Sequence, residues 1–113
     1  MEKQLNSDIE VSANFQGIGS IDDLPDFEFS FYTELNQSAT ITCSKSGGTL
    51  TNCTIKEYPN PVPLCVVKCL LENHHFSAGR LCVMVHIKWT DPDYADGVRN
   101  DIYRQKLDLY IGK

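Results

Sequence analysis

A chain of 113 residues with 42% hydrophobic content can build one domain with a real core and is too short for two. Its net charge of −5, pI of about 5.0 and scattered basic residues argue against a nucleic-acid partner, since affinity for a phosphate backbone comes from clustered Lys and Arg. No stretch approaches the roughly 20 consecutive apolar residues that a membrane-spanning helix needs.

The chain opens on Met1-Glu2-Lys3-Gln4-Leu5-Asn6-Ser7-Asp8, polar and without the apolar run of a signal peptide. This predicts folding in a cytoplasm, where Cys43, Cys53, Cys65, Cys69 and Cys82, an odd set, stay reduced. Ile9, Val11, Ala13 and Phe15 then alternate with polar residues until Gly17-Ile18-Gly19-Ser20 interrupts. Residues 1–20 are read as an arm or edge strand and residues 21–113 as the domain proper. Because an unpaired edge is a template for another chain, Ile9, Val11 and Phe15 are interface candidates.

Asp26 to Leu35 alternates strictly, with Phe27, Phe29 and Phe31 on one face and Glu28, Ser30 and Tyr32 on the other. Ser38 to Ser44 is rich in β-branched residues, Gly47-Gly48 signals a turn, and Thr49 to Glu57 reads as the returning arm of that hairpin. In that hairpin Cys43 and Cys53 would be cross-strand neighbours. Pro59, Pro61 and Pro63 break the ladder. Leu64 to Leu71, apolar apart from Lys68, suits a strand covered on both faces. Leu71 to Gly79 is a connector with room for a helical turn. Arg80 to Thr90 sends Leu81, Val83, Val85, Ile87 and Trp89 inward, Asp91 to Gly97 is a polar turn, and Leu107, Leu109 and Ile111 make a last inward row. Six or seven short strands separated by turn signals predict an all-β fold: a small antiparallel, immunoglobulin-like β-sandwich with an N-terminal arm or edge strand.

Residues able to carry chemistry are few. Asp91, Asp93 and Asp96, followed by Gly97, are a calcium candidate, but Pro92 intervenes and no closing Glu follows, so a solvated turn is the preferred reading. Cys65 and Cys69, four apart on one strand, would stand about 13 Å apart at ~3.3 Å per residue, too far for a shared metal. Buried, reduced cysteines acting as small hydrophobes fit better. His74, His75 and His86 come with no nucleophile signature, and no phosphate- or dinucleotide-binding loop occurs. The sequons at Asn36 and Asn52 read as chance matches. No enzyme, no catalytic residue and no cofactor is therefore expected. Tyr32, Tyr58, Tyr94, Tyr103 and Tyr110 fall on polar faces or in loops, and Tyr is favoured at interfaces for its large ring and polar tip. Of these, Tyr94 and Tyr103 join the interface candidates.

Four segments carry a family likeness: Leu24-Pro25-Asp26-Phe27-Glu28-Phe29-Ser30-Phe31-Tyr32-Thr33; Gly47-Gly48 followed by Asn52-Cys53; His74-His75-Phe76-Ser77-Ala78-Gly79-Arg80-Leu81; and Asp96-Gly97-Val98-Arg99 ahead of Leu107-Asp108-Leu109. Over these the chain resembles a β-sandwich module of structural proteins from phages and mobile elements of Bacteroides-type bacteria, crAss-like phages included. The chain departs from that pattern in its cysteine-rich middle and at His75 and Ala78, where the module usually has glycine. The resemblance implies a virion component, such as a capsid-attached head fibre, decoration or adaptor protein, assembled in the host cytoplasm. Its partners would be other virion proteins and further copies of itself. The other reading of the same surface is a glycan- or cell-surface-binding module, since aromatic loops stack on sugars.

Overall fold

Phe27, Phe29 and Phe31 all point into the core, from a strand in the interior of a six-stranded sheet. The computed structural model describes residues 2–4, 7–72 and 74–112. Met1, Leu5 and Asn6 of the polar opening, Asn73 of the connector, and Lys113 lie outside them. In chain order the strands are β1 (Glu2–Lys3), β2 (Ile9–Gln16), β3 (Asp26–Thr33), β4 (Asn36–Ser46), β5 (Thr49–Thr51), β6 (Cys53–Tyr58), β7 (Leu64–Leu71), β8 (Gly79–Thr90) and β9 (Val98–Ile111), with a short 3₁₀ turn at Ile21–Asp23. They form two packed sheets, a small β-sandwich. The large sheet runs β1-β9-β8-β3-β4-β5 and the small one β2-β7-β6. All pairings are antiparallel except the two-residue parallel contact of β1 with β9.

The core is the meeting of alternate rows. Phe15 of β2 lies on Phe27 and Phe29 of β3, at ring-centroid distances of 5.8 and 6.5 Å, and Phe27 stacks on Phe29 at 4.7 Å. Leu81, Val83, Val85 and Ile87 of β8 and Leu109 and Ile111 of β9 complete the large sheet's inner face. Each such side chain contributes about 1.5–3 kcal/mol by leaving water.

The N-terminal segment supplies edge strands, β1 at one edge of the large sheet and β2 at one edge of the small one. Three local expectations are corrected. The hairpin after Gly47-Gly48 does not continue to Glu57. Only β5 returns along β4, and the chain then crosses to the small sheet at Asn52, a non-glycine residue at φ 55°. Asn52 bridges the layers, donating its side-chain amide to the Thr42 carbonyl (2.9 Å) and accepting at its own carbonyl from Leu70 N–H (2.8 Å). Cys53 therefore pairs with Cys69 of β7, not with Cys43. β7 is covered on one face only: Cys65, Val67, Cys69 and Leu71 point inward, while Leu64, Val66 and Leu70 are partly exposed outside. Finally, Tyr32 is 8% exposed, because its outer-face position on an interior strand puts it beneath the Arg104 guanidinium, 5.8 Å from the ring centroid.

Candidate functional site

The two sheets differ in width, and the small one is set to one side. β2 lies over β3 through Phe15. β7 lies over β4, where Cys69 hydrogen-bonds Cys43, and the Cys53 thiol of β6 reaches the Ser44 carbonyl at 3.5 Å. The inner face of β8 and β9 thus extends past the edge of β2. Beside that edge runs a groove of about 410 Å³. Its floor is Val85, Ile87 and Trp89 of β8 with Tyr103, Gln105 and Leu107 of β9. Its wall is Val11, Ala13 and Phe15 of β2, and Phe29, Phe31 and Val83 lie deepest.

Tyr103 explains why the groove is open. It pairs with Val85, which is buried, so both belong to the inner face, yet Tyr103 is 50% exposed because no small-sheet strand covers it. Trp89 is held at the groove's far end by its Nε1–H, which donates to Asp101 Oδ2 at 2.8 Å, with Arg99 5.7 Å from the indole centroid. At the other end β9 is irregular between its partners Arg80 and Cys82, and Arg80 Nε donates to the Leu107 carbonyl (2.9 Å) left out of the ladder there. From that point Leu109 and Ile111 are buried.

The wall also carries backbone valences. Gly17 N–H donates to the Pro63 carbonyl (2.9 Å) in register with the β2–β7 ladder. Antiparallel alternation then directs the N–H and C=O of Ile9, Val11, Ala13 and Phe15 toward β7. The same groups of Glu10, Ser12, Asn14 and Gln16 face the open side, where no described strand pairs with β2. Natural edges are often blunted by Lys or Pro. β2 has neither; its one charged side chain, Glu10, is engaged with Lys68 at 3.0 Å.

Among the interface candidates, Val11, Phe15 and Tyr103 line this groove together. The side chain of Phe15 is nevertheless largely core, and Ile9, 2% exposed, is wholly so, because their row faces the large sheet. Tyr94 is exposed in the β8–β9 turn and is not among the groove residues. The alternation of β8 and β9 places Val85, Ile87, Trp89 and Leu107 inward and does not reveal that they border a groove. One signal was present: upstream of Leu107 the inward row of β9 becomes polar, as Gln105, Asp101 and Arg99, which marks where its cover ends.

Most of the remaining chemical candidates are engaged in structure. Asp91 Oδ1 accepts from Asp93 N–H (3.0 Å), Asp91 Oδ2 faces Arg99 (3.5 Å), and Asp96 Oδ1 accepts from Val98 N–H (3.1 Å), so the turn's own backbone uses the carboxylates. Among the described residues no three His, Cys, Asp or Glu side chains converge as metal ligands. His74 is buried with both ring nitrogens occupied, one 2.6 Å from the Ser7 carbonyl and the other accepting from Phe76 N–H at 3.4 Å. His86 bonds Asn100 at 2.8 Å, on the outer face of the large sheet. The hydrogen bond with Cys43, and then burial, hold the Cys69 thiol protonated. Burial likewise pushes Cys53, Cys65 and Cys82 above the ordinary thiol range, which disfavours the nucleophilic thiolate. No family model, curated protein or solved structure matches the chain.

Proposed function

We propose that this domain acts by binding other polypeptides, as a structural component of a phage particle: a capsid-attached fibre, decoration or adaptor protein assembled in the bacterial cytoplasm. The observation that supports this best is the groove between the inner face of β8 and β9 and the unpaired edge of β2, lined mainly by apolar side chains and in a size range that holds ligand side chains. A sandwich that leaves apolar inner-face residues in water gains free energy when a partner covers them. Further exposed apolar groups, Ile102 and Tyr110 on the outer face of β9, offer a second contact surface for neighbouring subunits.

The test is co-expression of the full chain with the products of the genes flanking its own. A capsid, portal or fibre subunit should co-purify with it at fixed stoichiometry by size-exclusion chromatography with light scattering. A chain that elutes alone beside each of them would overturn the reading. Glycan-array binding that disappears in Tyr94→Ala would favour a glycan-binding module instead.

A further inference from the structure

Deepening the proposed binding role, on which it rests, we infer that the groove takes one extended strand from a partner polypeptide, hydrogen-bonded to the free edge of β2, with apolar side chains at alternate positions on the groove floor. Three features define that occupant. The first is backbone complementarity: Glu10, Ser12, Asn14 and Gln16 present N–H and C=O groups at strand spacing, which only another extended backbone satisfies in series. The second is side-chain periodicity. A strand joined to β2 continues the small sheet, so every second residue faces Val85, Ile87 and Tyr103 and the others face water. The third is charge. The chain is 22% charged, yet none of the side chains lining the groove carries a charge. An ionised side chain inserted there would lose hydration without a counter-charge, so the inward positions of the occupant are neutral and apolar.

A second copy of this chain does not suit this edge. Pairing β2 with the β2 of another molecule across a two-fold axis puts both large sheets on the same side of the joined sheet. Each large sheet extends past β2 by part of β8 and by β9, so the two overhangs would occupy the same space. A single donated strand fits beneath one overhang. β2 spans eight residues, about 26 Å at ~3.3 Å per residue, which sets a donor of eight or nine residues.

The test uses the full chain and a set of neutral nonapeptides, acetylated and amidated, with Val, Ile or Leu at alternate positions and Ser, Thr or Gln between. Their scrambled counterparts serve as controls. Binding is read by fluorescence anisotropy, and amide hydrogen exchange by NMR. Alternating peptides should bind and scrambled ones should not, and exchange should slow at Ser12 and Asn14. Two substitutions address pairing and floor separately. Asn14→Pro removes an outward N–H and leaves the β2–β7 bonds intact, a position where edge strands tolerate proline. Tyr103→Glu places a charge on the exposed floor. Each should weaken binding about tenfold or more, equivalent to about 1.4 kcal/mol, while thermal melts confirm that both variants fold.

Failure of every alternating peptide to bind would overturn the inference, as would binding indifferent to both substitutions and to the Ser12 and Asn14 amides. A dimer of the chain alone that Asn14→Pro abolishes would overturn it in favour of a second copy. The inference and the virion reading fail separately. Peptide capture without a virion partner sinks only the virion reading. A virion complex unchanged by Asn14→Pro and Tyr103→Glu sinks only the strand site.

Discussion

The two halves of the large sheet have inner faces of similar pattern and opposite fates. Along β3 and β4, Phe27, Phe29, Phe31 and Cys43 are all buried because β2, β7 and β6 lie over them. Along the first half of β9, Tyr103 and Gln105 occupy equivalent inner positions and remain exposed. Alternation decides which face a side chain takes; whether that face is covered depends on how far the opposing sheet reaches. Stability should therefore reside in the covered half and binding in the open half.

The largest expected effect tests that division directly. Phe31→Ala empties a position 2% exposed at the centre of the covered half and should cost about 3–5 kcal/mol, whereas Tyr103→Ala should change stability by about 0.5 kcal/mol or less. Denaturant unfolding of both variants gives the ratio, and comparable losses would abolish the distinction. Next, Gly19 abuts the proline segment between β6 and β7: a Cβ there would stand 2.9 Å from Pro59 Cα and 3.3 Å from Pro63 Cβ. Gly19→Ala should destabilise by about 1–3 kcal/mol. In contrast, Gly48→Ala, where a Cβ meets nothing within 4 Å, should be close to neutral in the same unfolding assay.

A smaller effect belongs to the open half. Asp101→Ala leaves Trp89 Nε1–H without its acceptor and should cost about 0.5–1.5 kcal/mol, with a shift in tryptophan emission as the indole gains freedom at the groove mouth. Unchanged emission would mean that packing alone holds Trp89. The smallest effect lies away from the inner face, at the exposed pair of Lys106 Nζ and Glu34 Oε1, 2.7 Å apart. That hydrogen bond, reinforced by charge attraction, holds the Glu34 carboxyl below its ordinary range and the Lys106 ammonium above its own. The sign follows from linkage. Glu34's contribution is in place above the ordinary carboxylate pKa and fades as pH falls through the lowered one. Lys106's is in place below the ordinary amine pKa and fades as pH rises through the raised one. Both act across neutral pH. An NMR titration should show the Glu34 midpoint rising in Lys106→Gln; an unmoved midpoint would mean that solvent screens the pair completely.

Much of this was legible in the chain. The Phe27-Phe29-Phe31 row, the Leu81 to Trp89 row and the Leu107-Leu109-Ile111 row were readable because a strand alternates faces whatever surrounds it. The β-sandwich follows from several such rows needing mutual cover. The groove was less legible. Val11, Phe15 and Tyr103 were singled out separately, for an unpaired edge and for an exposed ring, and nothing local placed them beside one another. The hairpin reading of Thr49 to Glu57 failed because a turn signal specifies a reversal and not how long the returning strand keeps its partner.

Local pattern thus determined the strand class and the inward rows. Assembly of distant segments determined the rest: the crossing at Asn52, the division of the N-terminal segment between two layers, and the offset that leaves β9 bare beside β2. The physical reason is range. Side-chain alternation follows from the geometry of neighbouring peptide units, whereas lateral pairing and sheet overlap depend on contacts between residues far apart in the chain, such as Phe15 with Phe27 or Cys43 with Cys69.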